Sequence, residues 1–332
     1  MESTGRGKRV LRQTPGGLAA ILWAILALTM LLQRPAWAAT RDLRVAHVAI
    51  ANCIQLYVAM EKGFLAQEGI NVIAKALPGG ATMAPAMEAG ELDVGFSNSF
   101  TIILGRDRGF DYQFLVNGAV NVEPTNSTNS LLVRADSPIK QLKDLEGKRV
   151  ALNVLASINE LGLKVAAEQA GLDLRKVTLQ EIPFPNMEPA LKNNNTDAVV
   201  ASEPFVTLAL GRGTARHLLK DFYSVFGPRV LIGSWFAKKA WIEKSPELAQ
   251  GFVRAMHKAT EYLNGHPDER PAILARYTRI TPDVAKRIAW AAFSTDFPKR
   301  DLQPLIENAK KFGYIKASFD AGEIVSKYLT VR

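Results

Sequence analysis

Two stretches of the chain share one pattern of apolar and polar positions, 104 residues apart. The first, PAMEAGELDVGFSNS, spans 85–99, and the second, PALKNNNTDAVVASE, spans 189–203. Each reads as a helix end, a polar turn, an aspartate, an apolar strand, and then small or polar residues. Because Asp93 and Asp197 begin the strands, we expect their side chains to tie the turns. The repeat predicts two similar α/β units.

Strand and helix patterns alternate around both copies of the repeat. Apolar, β-branched runs predict strands within 42–120 and again within 131–222, and helical spacings separate them. Ser157 and Glu160 have the S-x-x-E spacing of a capping box at the start of one helix. Pro85 is expected in the first turn of another helix, where its missing N–H costs nothing. The alternation predicts sheets with parallel strand pairs.

Two segments predict where the chain passes between the units. NVEPTNSTNS, at 121–130, is polar and rich in turn residues, and GPRVLIGSWFAKKAWI, at 227–242, predicts the return. The remainder reads as helical, with helices expected after Ser245 and after Thr281. We therefore expect lobe 1 at 39–128, lobe 2 at 129–228 and the completion of lobe 1 with C-terminal helices at 229–332.

The first 38 residues are typical of a cleaved signal peptide. A basic start is followed by an apolar run and by AWA at 36–38, which fits a cleavage site. A membrane anchor is the alternative interpretation. These residues hold five of the 41 Lys and Arg and one of the 32 Asp and Glu, so removing them lowers the net charge from +9 to +5. The mature chain lacks the basic runs that nucleic-acid binding requires.

Few residues of the chain suggest catalysis or metal binding. Cys53 is the only cysteine of the 332 residues, which excludes an internal disulfide and a cysteine metal cluster. The four histidines are scattered, and no phosphate-binding loop, dinucleotide fingerprint or nucleophile elbow is present. We therefore predict no catalytic residues, no metal and no cofactor.

Polar residues follow the predicted strands at the edge where ligands of α/β sheets bind. In open sheets the ligand crevice lies beyond the carboxyl ends of the strands. That edge holds the residues 97–99 in the first unit and Ser202 with Glu203 in the second. The loops ANCIQ, PGGAT and LASIN follow other strands. We expect each unit to form one wall of a cleft, although Ser, Asn and Gly also gather at such joins as caps and turn formers.

Four motifs resemble those of a known family. They are IQLYVAMEKGFLAQEGINVIAKALPGG, AMEAGELDVGF, LLVRADSPIKQLKDLEGKRVAL and DAVVASEPF. They resemble the periplasmic substrate-binding proteins of ABC transporters, in the NMT1-like group for nitrate, sulfonate, taurine and thiamine precursors. The resemblance implies a type II periplasmic-binding fold, with two α/β lobes, a two-stranded hinge and closure around a small-molecule ligand. It also implies a monomer in the periplasm that delivers its ligand to a permease and ATPase complex at the inner membrane.

The resemblance also suggests which residues bind the ligand. Trp235, near the second crossing, would cover or stack on the ligand, or would pack in the hinge. The remaining candidates follow strands of the two lobes: Asn52, Gln55, Gly80, Ala81, Ser97, Asn98, Ser157, Ile158, Asn159 and Glu203.

The chain departs from the family pattern in ways that bear on the ligand. ANCIQ stands where the family often has a turn with Gly, Pro or an aromatic residue, and the candidate loops hold no Arg or Lys. Their absence argues against a fully anionic ligand, although helix N-termini can also bind anions. Glu203 would suit a ligand that donates hydrogen bonds. These features favour a heterocycle such as a pyrimidine, or a small aromatic or sulfonate-bearing molecule. An enzyme of the thiamine-pyrimidine synthase type and a binding protein that feeds a sensor are the alternatives.

Overall fold

The computed structural model describes residues 40–124, 126 and 128–330, which form one α/β unit built on two sheets. The predicted signal peptide lies outside these residues. Within the described part of the chain, no helix has the length and apolar composition needed to cross a bilayer.

Lobe 1 is built on a six-stranded mixed sheet. Its strands are β1 (Arg41–His47), β2 (Ile70–Ala76), β3 (Val94–Asn98), β4 (Tyr112–Val122), β10 (Arg229–Lys238) and β11 (Ala292–Phe293). They lie in the order β11-β4-β10-β3-β1-β2. Strand β1 pairs in parallel with β2 and β3, and β10 runs antiparallel to β3 and β4. The carboxyl ends of β1, β2 and β3 therefore share one edge.

Lobe 2 is built on a five-stranded mixed sheet. Its strands are β5 (Asn129–Arg134), β6 (Arg149–Leu152), β7 (Thr178–Glu181), β8 (Ala198–Ser202) and β9 (Ala215–Leu219). They lie in the order β7-β6-β8-β5-β9. Strand β6 pairs in parallel with β7 and β8, and β5 runs antiparallel to β8 and β9. Strand β8 is buried along its whole length, as expected for a strand covered on both faces.

Helices connect the strands and cover both sheets. They are α1 (Ile54–Glu61), α2 (Phe64–Gln67), α3 (Gly80–Glu88), α4 (Ser99–Asp107), α5 (Ile158–Ala170), α6 (Phe184–Lys192), α7 (Phe205–Gly211), α8 (Lys239–Lys244), α9 (Pro246–Gly265), α10 (Arg270–Tyr277), α11 (Pro282–Ala285) and α12 (Gln303–Lys311). Short 3-10 turns lie between several of them, including Phe222–Phe226 after β9.

The chain passes from the first sheet to the second between β4 and β5, and it returns between β9 and β10. Strand β4 leads into the first crossing and its neighbour β10 follows the second. The backbone N–H of Glu123 donates to the carbonyl oxygen of Pro228 at 2.9 Å, which ties the two crossings together. Two adjacent segments joined in this way can act as a hinge between the lobes.

The sequence repeat is present in the bounds of the elements. Helix α3 begins at Gly80 and α6 at Phe184, and strand β3 begins at Val94 and β8 at Ala198. Both offsets equal the 104-residue offset in the sequence. Each lobe therefore contains the same helix–turn–strand unit, with its carboxyl end at the same edge of its sheet.

The two repeated aspartates tie the turns, as the sequence predicts. The carboxylate of Asp93 accepts hydrogen bonds from the backbone N–H and the guanidinium of Arg44, both at 2.9 Å. Asp197 accepts the same two bonds from Arg149, at 2.8 and 3.0 Å. Hydrogen bonds from Arg149 lower the pKa of Asp197. Each guanidinium also donates to a carbonyl oxygen of the preceding turn, which joins the first parallel strand to the helix–strand turn.

Replacing Asp197 by alanine is expected to lower the free energy of unfolding by about 2 kcal/mol, because several charge-assisted hydrogen bonds are lost together. The same change at Asp93 should have a similar effect, since its bonds are the same. Urea denaturation of the mature chain measures both, with alanine at the exposed Asp268 as control. A loss below about 0.5 kcal/mol at both positions, the usual range for surface substitutions, would contradict this role.

The structure differs from expectation in three helical segments. Pro85 lies inside α3, not in its first turn, and Pro189 occupies the matching position of α6. The carbonyl that loses a partner in α3 belongs to Ala81, which is exposed, so water can replace the missing bond. The segment after Thr281 is helical only to the end of α11, because Ala292 and Phe293 pair with the open edge of β4. The segment near 321–324 forms a 3-10 turn.

Candidate ligand-binding cleft

A cleft lies between the lobes, at the edge where the parallel strands end. Both lobes line it. Its polar side chains are Asn52, Ser97 and Asn98 from lobe 1 and Asn129, Asn153, Asn159, Ser202 and Tyr223 from lobe 2. Its other lining residues are Val48, Ile50, Gly79, Phe96, Ile158, Phe184, Ile232 and Gly233. Hydrogen-bonding amides and hydroxyls thus alternate with apolar and aromatic surface, as in sites for small organic molecules.

No charged side chain lines the cleft among the residues that the structure describes. Five of its lining residues are asparagines, which can both donate and accept hydrogen bonds without carrying a charge. Such a lining suits a molecule with donor and acceptor edges better than a fully charged one.

Five of the eleven candidate residues line this cleft: Asn52, Ser97, Asn98, Ile158 and Asn159. The first three lie at strand ends or in the first loop of lobe 1, and the other two begin α5 in lobe 2. The structure therefore brings together residues that are 60 positions apart or more in the sequence, Asn98 and Ile158 among them.

Gly80 and Ala81 lie beside the cleft without lining it. They line a separate cavity that also involves α4. A Cβ atom on Gly80 would lie 2.2 Å from both the Ser97 Oγ and the Thr101 Oγ1, so only glycine allows α3 to approach α4 this closely. Gly80 thus shapes one wall behind Ser97.

Gln55 and Trp235 lie in the core of lobe 1 and do not line the cleft. The Trp235 Nε1–H donates to the Gln55 Oε1 at 3.0 Å, and the Gln55 Nε2 donates to the Thr260 Oγ1 at 2.7 Å. The indole of Trp235 is fully buried and packs edge-on against Phe96 and Phe252. This placement agrees with the packing interpretation of Trp235. Gln55 was not expected in the core, but its amide is satisfied there by other side chains.

Ser157 and Glu203 also turn away from the cleft. The expected capping box does not form, because the Ser157 hydroxyl donates to the Val154 carbonyl oxygen at 2.9 Å, whereas the Glu160 carboxylate accepts from the Ala156 N–H. The Glu203 carboxylate accepts from the Thr207 hydroxyl at 2.8 Å.

Glu203 instead connects the two lobes. Its carboxylate accepts from the backbone N–H of Ala289 at 3.2 Å, and its backbone carbonyl accepts from the N–H of Ala51 at 3.0 Å. Both donors belong to chain segments outside lobe 2. Burial raises the pKa of the Glu203 carboxyl, and the hydrogen bonds from Thr207 and Ala289 oppose that rise.

Two further hydrogen bonds join the lobes across the cleft. The Asn98 Oδ1 accepts from the N–H of Thr101 at 3.2 Å, which caps its own helix α4. The same oxygen accepts from the N–H of Ile158 at 3.3 Å, at the start of α5 in the other lobe. The Asn153 Nδ2 donates to the Pro78 carbonyl oxygen at 3.1 Å. The lobes are therefore in contact along the cleft, as in a closed form.

Three side chains of lobe 2 form a fixed hydrogen-bond chain in the cleft. The Tyr223 hydroxyl donates to the Asn159 Oδ1 at 2.7 Å, and the Asn159 Nδ2 donates to the Asn153 Oδ1 at 2.8 Å. These bonds orient both amides and direct the Asn153 Nδ2 toward lobe 1. Burial raises the pKa of the Tyr223 phenol, so it stays a protonated donor at neutral pH.

Asn52 has a buried oxygen that no protein group satisfies. Its side chain lines the cleft and is only 5% exposed, and its Oδ1 has no hydrogen-bond partner within the described chain. A buried acceptor without a partner costs free energy, so a ligand donor at this position would be favoured.

Sequence reasoning missed Asn129, Asn153 and Tyr223, and it placed Ser202 at the edge without selecting it. Asn153 directly follows β6, so the rule about strand ends could have found it. Asn129 begins β5, which is antiparallel to β8 and therefore starts where β8 ends. Tyr223 lies in the 3-10 turn after β9, and no sequence pattern indicates its direction.

The described residues form neither a metal site nor a reactive cysteine centre. No group of His, Cys, Asp or Glu among them is placed to hold a metal ion. Cys53 is fully buried, and burial raises the pKa of its thiol. A buried protonated thiol is unreactive.

Comparisons with known proteins agree with this architecture. The chain is 28% identical over 201 residues to the "Putative aliphatic sulfonates-binding protein" of Escherichia coli, an alignment covering 60% of each chain. It is 21% identical over 283 residues, 80% of each chain, to the 4-amino-5-hydroxymethyl-2-methylpyrimidine phosphate synthase of Aspergillus parasiticus. The crystal structure of the periplasmic aliphatic sulphonate binding protein of E. coli superposes with a TM-score of 0.69 at 20% identity, covering 87% of this chain and 98% of that one.

The fold is therefore the periplasmic-binding-protein fold, as predicted. The family model described as "NMT1/THI5 like" matches residues 50–270, which is most of the described chain and includes every residue that lines the cleft except Val48. The chain belongs to the NMT1/THI5-like family.

Proposed function

We propose that this chain is an extracytoplasmic solute-binding protein. It captures a small organic molecule or oxyanion in the interlobe cleft and delivers it to an ABC-type permease and its ATPase. The observation that carries the proposal is the cleft itself, in which two lobes offer uncharged hydrogen-bonding groups and the buried Asn52 oxygen has no partner among the residues that the structure describes. Its relatives in the family include binding proteins, which supports the same conclusion.

Closure about a hinge formed by the two crossings between the lobes is the proposed mechanism. A ligand stabilises the closed form only if it binds that form more tightly than the open one. A molecule in the cleft would contact Asn52 on lobe 1 and Asn159 on lobe 2 together. The hydrogen bond between Asn98 and Ile158 forms only when the lobes meet, so it adds to the stability of the closed form.

The lining favours an uncharged head group. Helix α4 and helix α5 both direct their N-termini toward the cleft, and such ends can bind anions. Here the Asn98 Oδ1 already accepts from an N–H of each helix. An anion would have to displace this oxygen, whereas a pyrimidine-like ring can pair with the asparagine amides. We therefore propose a neutral heterocycle ahead of a sulfonate.

An enzyme of the pyrimidine synthase type remains the second candidate, because one relative carries that activity in its name. The cleft argues against it. Its described lining includes no Cys, His, Asp, Glu or Lys, and the hydroxyl of Tyr223 is committed to Asn159. General acid–base or nucleophilic catalysis needs such groups beside the substrate. Binding without turnover needs none.

The proposed location is the periplasm, after removal of residues 1–38. The protein is proposed to act there as a monomer that meets its permease at the inner membrane. Native mass spectrometry of the secreted protein reports its N-terminus and its oligomeric state.

Replacing Asn52 by alanine is expected to weaken ligand binding about three- to tenfold, the value of one hydrogen bond, with little change in stability. The free energy of unfolding should change little because no group in the described part of the chain pairs with the Asn52 oxygen. A thermal-shift screen of pyrimidines and sulfonates selects the ligand, and calorimetry then compares the variant with alanine at the exposed Asn71. Equal affinity of all three proteins would contradict the cleft as the binding site.

A further inference from the structure

We propose that the cleft continues into an apolar chamber that receives an apolar substituent of the ligand. This inference rests on the proposed function and specifies its ligand further. The chamber is lined by residues 48–50 and 76–78 of lobe 1 and by residues 183–185 and Phe205 of lobe 2.

The chamber adjoins the cleft. Val48, Ile50 and Phe184 line both spaces, so the two are immediate neighbours. In this proposal, a molecule whose head group occupies the amide-lined cleft extends past Phe184 into the chamber.

On the side that faces α3 and α4, the cleft is closed. A second apolar cavity lies behind α3 and α4, but it shares no lining residue with the cleft within the described chain. The tight contact of Gly80 with Ser97 and Thr101 lies between the two. The ligand can therefore be extended toward Phe184 and not toward α4.

The chemistry of the chamber differs sharply from that of the cleft. All of its lining side chains are Val, Ala, Ile, Leu, Pro or Phe. The rings of Phe184 and Phe205 lie nearly parallel, at 13°, with centroids 6.1 Å apart, and so form one continuous apolar wall. Such a wall offers no hydrogen bond to a polar group and gains affinity only by burying apolar atoms. The ligand that fits both spaces has a polar, uncharged ring and an alkyl or aryl substituent.

Both lobes build the chamber, so it is complete only when they meet. A substituent held there touches lobe 1 near Leu77 and lobe 2 at Phe205. Its contacts are stronger in the closed form than in the open one, and they therefore favour closure. The substituent would raise affinity and the extent of closure together.

The test compares short and extended ligands by calorimetry on the mature full chain. The probes are 4-aminopyrimidine with its 2-, 5- and 6-propyl derivatives, and methanesulfonate with butanesulfonate. Burial is worth about fourfold per methylene, so at least one extended probe is expected to bind about tenfold or more tightly than its parent. Three propyl positions are used so that the orientation of the ring need not be known.

Phe205→Ala tests the chamber independently of the cleft, because Phe205 lines the chamber and not the cleft. Phe205→Ala should reduce the gain in affinity that the substituent provides by at least threefold. The affinity of the parent compound should stay within twofold of its value in the unaltered protein. Ala76→Leu, at an exposed position that also lines the chamber, should reduce the gain by filling the space. Phe64→Ala, at a partly buried ring packed on Tyr262 in lobe 1, is the matched control and should keep the gain.

The outcomes distinguish this inference from the proposed function. If a parent compound binds and no extended probe binds more tightly, the chamber is not a subsite and the binding function stands. If the gain is the same in Phe205→Ala and Ala76→Leu as in the unaltered protein, the substituent lies elsewhere and the inference is wrong. If neither head group nor any extended probe binds, the ligand class proposed for the cleft fails, and the chamber inference fails with it.

Discussion

Replacing Asn98 by alanine is expected to weaken ligand binding about tenfold while leaving the fold intact. The Asn98 oxygen holds the N–H of Ile158 across the cleft, so its loss removes a bond made only in the closed form. One such bond is worth about 0.5–1.5 kcal/mol, and losing it lowers the population of the closed form. Removal of the cap on α4 costs a further 0.5–2 kcal/mol or so of stability. Calorimetric titration with the ligand and urea denaturation measure the two effects separately.

Two further variants identify the cause of the Asn98 effect. In Thr281→Ala the backbone N–H of Val284 loses its side-chain acceptor. This cap is similar to that of Asn98 but lies far along the chain from the cleft residues, so its loss should lower stability without changing ligand affinity. Asn98→Asp keeps an oxygen for both N–H groups and adds a negative charge. It should retain most of the affinity for a neutral heterocycle and lose affinity for a sulfonate. Unchanged affinity in Asn98→Ala would contradict the role of this bond in closure.

Trp235→Ala is expected to have the largest effect on stability, lowering the free energy of unfolding by about 3–5 kcal/mol, as is typical of a buried aromatic residue. The side chain is fully buried between Phe96 and Phe252. Its loss also leaves the Gln55 Oε1 without its donor, which adds a desolvation penalty. Thermal and urea denaturation of the mature chain measure the change.

The partly buried Trp241 provides the matched control, and Trp241→Ala should cost clearly less than Trp235→Ala. Trp235→Phe keeps an aromatic ring but removes the N–H, so it should show the cost of leaving Gln55 unsatisfied. A Trp235→Ala protein of nearly unchanged stability that had lost ligand binding would place the indole in the cleft instead, as one interpretation of the sequence suggested.

The sequence predicted the architecture because the fold repeats a strong local signal. The helix–turn–strand unit with its buried strand and its capped aspartate occurs once in each lobe, and Arg44 and Arg149 complete it in the same way. The rule that ligands meet the carboxyl ends of strands placed Asn98 and the loop LASIN beside a cleft. The family resemblance then selected Asn159 within that loop.

Two of the polar candidates that do not line the cleft have side chains whose hydrogen-bond partners lie elsewhere in the fold. Gln55 follows the first strand, but Trp235 and Thr260, about 200 positions away, provide its partners inside lobe 1. Glu203 follows β8, but its carboxylate turns toward Thr207 and Ala289. Sequence spacing places a residue near an edge, and the direction of its side chain depends on partners that spacing does not reveal.

Tyr223 is the opposite case, because it lines the cleft although no sequence pattern indicated that it would. It lies in a short 3-10 turn and donates to Asn159, which in turn donates to Asn153. This chain fixes two amides of the cleft in one orientation. A pre-oriented amide discriminates between ligands by the arrangement of their donors and acceptors, because a mismatched edge would leave a buried group unpaired.

The most direct measurement is a native mass spectrum of the mature chain, purified from its host under mild conditions. The account predicts one small organic molecule bound per chain. Unfolding and refolding should remove it, and adding it back should restore both the mass and a higher melting temperature. A chain that carries no molecule, and whose melting temperature no pyrimidine or sulfonate raises, would contradict the claim that this cleft captures such a solute.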